Sequence, residues 1–144
     1  MIALAKQKAV DHGLDPDLVC AVVEQESGWN PWAVRYEPGF MLKYVSQHYM
    51  NGEFSATEAY TRSMSWGLMQ IMGQTARELG FSLATLSELC DPQYGLEFGC
   101  RKLLNCMKLA NGSRTDALEK YNGGSNDEYA GQVLARIRDY AVTA

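Results

Sequence analysis

Asp15-Pro16-Asp17-Leu18-Val19-Cys20-Ala21-Val22-Val23-Glu24-Gln25-Glu26-Ser27-Gly28-Trp29-Asn30-Pro31 starts with helix-forming signals and ends on a turn. Asp15 carries an oxygen that suits a helix N-cap, and Pro16 fits the first helical position. Leu18, Val19, Val22 and Val23 recur at helical spacing, so one face of the helix is buried. Gly28 stops it. Continued along the same face, the spacing carries Glu26 inward. A carboxylate there is costly unless it is paired or protonated. A carboxyl group kept protonated near neutral pH is what a general acid requires.

Outward from this stretch, turn signals cut the chain into short helices. Residues 32–63 form an excursion: Pro38-Gly39 turns, Phe40 to Tyr49 has helical character, and Asn51-Gly52 breaks it. Ser55-Ala56-Thr57-Glu58 has the form of a capping box. After Gly67 the spacing of Leu68, Ile71 and Met72 predicts a helix with a break at Gly73, and helical character resumes over Thr75 to Leu79 until Gly80. A small helix is expected over Leu83 to Leu89. Asp91-Pro92 opens the longest helix, with Leu96, Cys100, Leu103, Met107 and Ala110 on one stripe, stopped by Asn111-Gly112. Asp116 to Tyr121 is short and ends at Asn122-Gly123-Gly124. A last helix is expected over about 127–142, with Val133, Leu134, Ile137 and Tyr140 inward. Clear strand alternation is missing, apart from short extended pieces near Trp32 to Glu37. The expected class is mainly α, with at most a minor β element.

The chain has 144 residues, of which 47% are hydrophobic. That suits one domain, 1–144, with a sizeable core and no linker or repeat. No segment approaches the roughly 20 apolar residues of a membrane span. Met1 to Val10 lacks the apolar core and cleavage pattern of a signal peptide. The net charge of −4 excludes the basic footprint of a nucleic-acid binder, and Asp139 interrupts the Arg136–Arg138 pair. Four cysteines without a C-x-x-C pair, together with two histidines, argue against a zinc site, so no metal or cofactor is expected. Cys20 and Cys100 lie on apolar faces and read as buried thiols. A Cys90–Cys100 disulfide stays open as the alternative.

Three segments carry chemistry together: Glu26-Ser27-Gly28-Trp29-Asn30-Pro31, Ser65-Trp66-Gly67-Leu68-Met69-Gln70-Ile71 and Tyr121-Asn122-Gly123-Gly124. In this order, in a helical chain of this length, they resemble the lytic transglycosylase catalytic domain of the soluble-lytic-transglycosylase type, related in fold to goose-type lysozyme. The resemblance implies a lysozyme-like helical domain with a cleft for peptidoglycan glycan strands; a monomer is expected. It implies cleavage of the β-1,4 bond between N-acetylmuramic acid and N-acetylglucosamine. Glu26 matches the family's catalytic glutamate, Gln70 the glutamine of its Gly-Leu-Met-Gln segment, and Tyr121 and Asn122 the pair in its Tyr-Asn-Gly-Gly segment. In the family's chemistry the glutamate also takes a proton from the sugar's 6-hydroxyl, which closes a 1,6-anhydro ring.

Each supporting residue also has a plainer structural reading. Gln70 contacts a sugar amide or faces solvent. Tyr121 orients the acid, holds an acetamido group or fills the core. Asn122 binds substrate or stops a helix. Ser65 bonds the site or caps a turn, as does Ser27. Met69 reads as cleft wall or core, and Trp29, Trp32 and Trp66 as stacking platforms or core.

Two departures from the family pattern stand out. Met72-Gly73-Gln74-Thr75-Ala76 lacks the usual proline, and the stretch between Pro31 and Ser65 is long. The long stretch carries Glu37, a candidate second carboxylate. Glu37 would position a water in a hydrolytic, goose-lysozyme-like muramidase, or form a surface ion pair. Inverting hydrolysis needs about 6.5–9.5 Å between the two carboxyls. A non-catalytic glycan-binding or structural domain is the rival from another class. Absence of a leader suggests a phage lysin, or a lytic protein carried by a virion or secretion machine, made in the cytoplasm and acting on the wall in the periplasm.

Overall fold

The computed structural model describes residues 1–141. The helix around Glu26 forms as its sequence predicts. It is α2, Pro16–Ser27, after α1, Ile2–Asp11. The Asp15 carboxylate accepts from the Asp17 and Leu18 amides, and Gly28 closes the helix in the left-handed region at φ 57°. Residues 1–11 give no strong periodic signal. Their helix buries only Ala5 and Ala9, small side chains that leave little mark on a hydrophobic pattern.

The excursion begins with a short strand, β1, Val34–Tyr36, where an extended piece was expected. A helical run follows as α3, Pro38–Phe40, a π-helical turn, Met41–Val45, and α4, Ser46–Met50. Then comes α5, Ala56–Arg62, whose Glu58 amide donates to Ser55 Oγ. The Glu58 carboxylate does not close the capping box. It pairs instead with Arg62 and Arg77.

The expected helix after Gly67 is corrected. Residues 64–72 form an antiparallel hairpin of β2, Met64–Trp66, and β3, Ile71–Met72. Gly67 and Gln70 both take positive φ, 68° and 48°, which bends the chain back instead of continuing a helix. Leu68, Met69 and Ile71 are all fully buried, so their spacing reflects a loop pressed into the core from several sides. The sheet order is β1-β2-β3, with Arg35 opposite Ser65 and Trp66 opposite Ile71.

The helix reached at Thr75 is α6, Gly73–Glu78, and the small helix near residue 86 is a 3-10 turn, Leu86–Cys90. The longest helix is α7, Pro92–Leu109, opened by Asp91 as expected. Then come α8, Arg114–Asn122, and α9, Tyr129–Arg136, which tightens into a 3-10 turn, Ile137–Asp139. The expected end of that last helix at Val142 lies outside the described residues. All four cysteines are buried free thiols, and Cys90 and Cys100 are not bonded to each other. Burial pushes Cys20 up to about 11 and Cys100 up to about 12.

The main core joins α1, α2, α7, α8 and α9 with Leu68 and Met69 of the hairpin loop. A smaller core, with Trp66, Ile71, Phe81, Leu86 and Phe98, lies under the sheet. Helix α7 serves both, with Leu96, Cys100 and Leu103 toward the first and Phe98 toward the second. Its glycines let the hairpin loop and the 3-10 turn at Leu86–Cys90 approach. A Cβ at Gly99 would stand 2.4 Å from Met69 Sδ, and one at Gly95 2.8 Å from the Leu89 carbonyl.

Candidate active site

Glu26 lies in the last turn of α2, partly buried. Its Oε1 accepts a 2.6 Å hydrogen bond from the Tyr129 hydroxyl at the start of α9. Burial raises the Glu26 carboxyl above its ordinary range. The Tyr129 bond and the positive charges of Lys102 and Arg35 oppose that rise without cancelling it. No carboxylate is among the groups that perturb it. Tyr129 is itself buried and is pushed far up by burial and by Glu26, so it remains a donor.

The neighbouring residues of α2 hold α9 in place. Glu24 accepts from Arg136 Nη1 and from the Tyr140 hydroxyl, both at 2.6 Å, and Gln25 bonds Gln132 and Arg136. Three consecutive residues of α2 thus grip α9 and the turn after it, which holds the Tyr129 hydroxyl on Glu26.

The hairpin loop is held just as closely. Ser27 Oγ donates to the Leu68 carbonyl at 2.8 Å, and the Tyr121 hydroxyl donates to the Met69 carbonyl at 2.6 Å. Gln70 Nε2 donates to the Ala33 and Gly67 carbonyls, while its Oε1 accepts from Ser65 Oγ at 2.8 Å. Both amide hydrogens of Gln70 are therefore occupied within the protein, and Oε1 keeps one lone pair. Among the described residues, Ser65 and Gln70 couple β2 to β1, and Tyr121 and Ser27 anchor the loop between α8 and α2.

Tyr121 is buried, with its hydroxyl on the loop and its ring under Lys102. The Lys102 ammonium lies 4.0 Å from the ring centroid and donates to the Tyr121 carbonyl at 2.8 Å. The phenol that touches Glu26 is thus Tyr129, and Tyr121 braces the frame. Asn122 is the last residue of α8. With its amide oriented so that Oδ1 faces the loop, it accepts from the Asn126 amide at 2.9 Å and the Ser125 amide at 3.2 Å.

Glu37 is paired. Its Oε1 accepts from Arg35 Nε at 2.6 Å, and the Arg35 side chain is 75% exposed. Of the three tryptophans, Trp66 is buried and donates to the Thr61 carbonyl, and Trp29 donates to the Tyr140 hydroxyl. Trp32 is 75% exposed. A shallow concavity at the α7–α8 turn, lined by Leu109, Asn111, Asp116 and Glu119 among others, shares none of the residues around Glu26.

Sequence reasoning did not single out Tyr129 or Lys102. Tyr129 heads the stripe of Val133, Ile137 and Tyr140, so its helical spacing already turned it inward. Lys102 stands among Phe98, Gly99, Leu103 and Cys106, an unusual flanking for a lysine.

This arrangement is that of a mainly α, lysozyme-like domain with a glutamate at the end of a buried helix. The chain belongs to the transglycosylase SLT domain family, whose model matches residues 3–132. It is a peptidoglycan lytic transglycosylase. No solved structure gives a significant match to it, and no described helix is long and apolar enough to cross a membrane.

Proposed function

We propose that Glu26 is the general acid and base of this transglycosylase and that the products end in 1,6-anhydromuramic acid. The observation that carries the reading is the partly buried Glu26 carboxyl, raised by burial and held by Tyr129. With Tyr129 fixed on Oε1, the acid proton resides on Oε2. Glu26 gives it to the glycosidic oxygen as the bond from the muramic C1 breaks. The substrate's acetamido oxygen supports the developing cation, so a second carboxylate is not required. The Glu26 carboxylate then takes the proton of the 6-hydroxyl, O6 bonds C1, and the acid is restored.

The engagement of Glu37 with Arg35 speaks for this reading over the hydrolytic one, because its Oε1 is already taken by the guanidinium and is not free to orient a water. Ser65 and Gln70 shape the strand and loop beside Glu26. In the same reading the Gln70 Oε1 lone pair accepts from a sugar N–H, and Asn122 lines the far side. The domain acts on glycan strands as a monomer.

Mass spectrometry of digested sacculi tests the reading. Fragments short of one water per cleaved end are expected from the wild type and from Glu37→Gln alike. Reducing muramic ends from the wild type would overturn the anhydro product. Loss of cleavage in Glu37→Gln would restore the second carboxylate.

A further inference from the structure

Arg35 stands in the middle of β1, and antiparallel pairing sets it opposite Ser65 of β2. Partners across a strand pair share a face of the sheet, and successive residues alternate between faces. Val34 lies opposite Trp66, and Trp66 opposite Ile71, and these two side chains belong to the small core. Arg35, one residue on, shares the other face with Ser65. That face is tied to the site by direct bonds. Ser65 Oγ donates to Gln70 Oε1 at 2.8 Å, and Gln70 Nε2 donates to the Ala33 carbonyl at 2.9 Å. Ser27, which follows Glu26, donates to the Leu68 carbonyl of the same loop at 2.8 Å. The hairpin loop thus joins the Arg35 strand directly to the last turn of the Glu26 helix. In keeping with that placement, the charge of Arg35 acts to lower the Glu26 carboxyl.

Part of the guanidinium is already bound. Nε donates to Glu37 Oε1 at 2.6 Å, and Nη2 reaches the same oxygen. Arginine carries five N–H donors in a fixed plane. Those at the Nη1–Nη2 end bond no acceptor among the described residues, and the Arg35 side chain is 75% exposed. Two parallel N–H groups of this kind form a fork that fits one carboxylate. Glu37 is the less exposed partner, so it holds the guanidinium by its inner edge and leaves the fork to solvent.

We propose that Arg35 is an anion-binding site of the cleft, and that its ligand is a carboxylate on the lactyl arm of muramic acid, in the stem peptide or on the bare lactyl group. The role rests on Glu26 being the acid of this cleft. Peptidoglycan strands are anionic through these carboxylates, and a chain of net charge −4 offers them no general attraction. A cation held beside the acid by Glu37 supplies a local one. Only muramic acid carries the arm, so the contact also distinguishes the two sugars of the repeat.

Soluble, uncrosslinked strands in three forms test the site: peptide-bearing, peptide-bearing with every carboxylate converted to a methylamide, and peptide-free with the lactyl carboxylate bare. Initial rates give kcat and KM for wild type, Arg35→Gln and Arg35→Lys. The side chain is exposed, so these variants keep the fold. On peptide-bearing strands Arg35→Gln should raise KM about 5-fold, the upper end for an exposed ion pair, with kcat within about 2-fold. Methylamide strands should raise the wild-type KM by the same factor and leave that of Arg35→Gln where it was, because the pair is already broken. Arg35→Lys keeps the charge without the fork and should fall between. Lys108→Gln, an exposed lysine of α7, should leave KM unchanged on all three forms. A gap between wild type and Arg35→Gln that persists on peptide-free strands shows that the lactyl carboxylate serves; a gap lost there confines the ligand to the stem peptide. Equal KM on peptide-bearing strands, or the same gap on methylamide strands, would overturn the site. Glu26→Gln separates this from the parent reading: if it cleaves at the wild-type rate, the acid itself is misassigned. If it is inactive while Arg35→Gln keeps the wild-type KM, only the role of Arg35 falls.

Discussion

Tyr129 and Glu26 meet side chain to side chain at 2.6 Å, although 103 positions separate them in sequence. The bond fixes which carboxyl oxygen is free to carry the proton. It also favours the ionised form, and so sets a limit on how far burial can raise the acid. Tyr129→Phe keeps the ring and removes the donor. We expect kcat/KM to fall about 10- to 150-fold, the equivalent of the roughly 1.5–3 kcal/mol of a hydrogen bond to a charged group. The basic limb of the pH profile should move up, because the carboxylate loses its donor. A pH–rate series on sacculi reads both effects.

Glu26→Gln should abolish cleavage and stabilise the fold. In the folded protein the Glu26 carboxyl is raised from its ordinary value of 4.5. The stability tied to that proton is present below about pH 4.5 and is lost as pH rises through the folded value. Glutamine cannot ionise and still accepts from Tyr129. The melting temperature of the variant should therefore exceed that of wild type, by a margin that grows from about pH 4 to about pH 8. Thermal melts at the two pH values check this, and an equal margin at both would contradict the buried-acid account.

Glu97 has the opposite linkage. It accepts from Lys8 of α1, from His12 and from Arg101 of α7, and thereby ties α1 to α7. Burial alone would raise it, but the three donors hold it down to about 2. Its stability contribution is present above the ordinary carboxylate value and is lost as pH falls from about 4.5 toward about 2. Glu97→Gln should cost about 1–3 kcal/mol at neutral pH and nearly nothing near pH 2. Urea titrations at both pH values measure the difference.

The helices were legible in the sequence where caps and stripes agree. Asp15-Pro16 and Asp91-Pro92 open α2 and α7 as read, and Gly28 closes α2 in the left-handed region. The hairpin was not legible, because Leu68, Ile71 and Met72 mimic helical spacing while the backbone turns at Gly67 and Gln70. A positive φ at a glutamine leaves no mark in a hydrophobic pattern. In the site, Glu26 stood out because a carboxylate on a valine stripe is costly. Tyr129 and Lys102 did not, since their significance depends on α7, α8 and α9 converging on the end of α2. Local spacing cannot report that convergence. Gln70 and Tyr121 were legible as motif residues, but their hydrogen bonds to Ala33, Gly67 and Met69 depend on tertiary packing.

Two glycines flank the site and should respond very differently to the same added methyl group. At Gly28, φ is 57° and a Cβ would meet nothing within 4 Å, so Gly28→Ala carries only the left-handed backbone penalty, about 1 kcal/mol. At Gly67, φ is 68° and a Cβ would stand 2.5 Å from the Leu89 carbonyl, a backbone atom that cannot swing aside. Gly67 also donates its amide to the Ala33 carbonyl at 2.8 Å, and its own carbonyl accepts from Gln70. Relief would have to come from shifting the hairpin loop, whose next two carbonyls are held by Ser27 and Tyr121. Gly67→Ala should therefore cost about 2–4 kcal/mol, near 2–4 °C of melting temperature per kcal/mol for a chain of this size. It should also lower kcat at temperatures where it remains folded, because the loop braces Tyr121 and, through it, the surroundings of Glu26. Melting curves and sacculus cleavage by the two variants, side by side, check both halves; equal destabilisation would mean that the hairpin loop tolerates displacement and does not set the site.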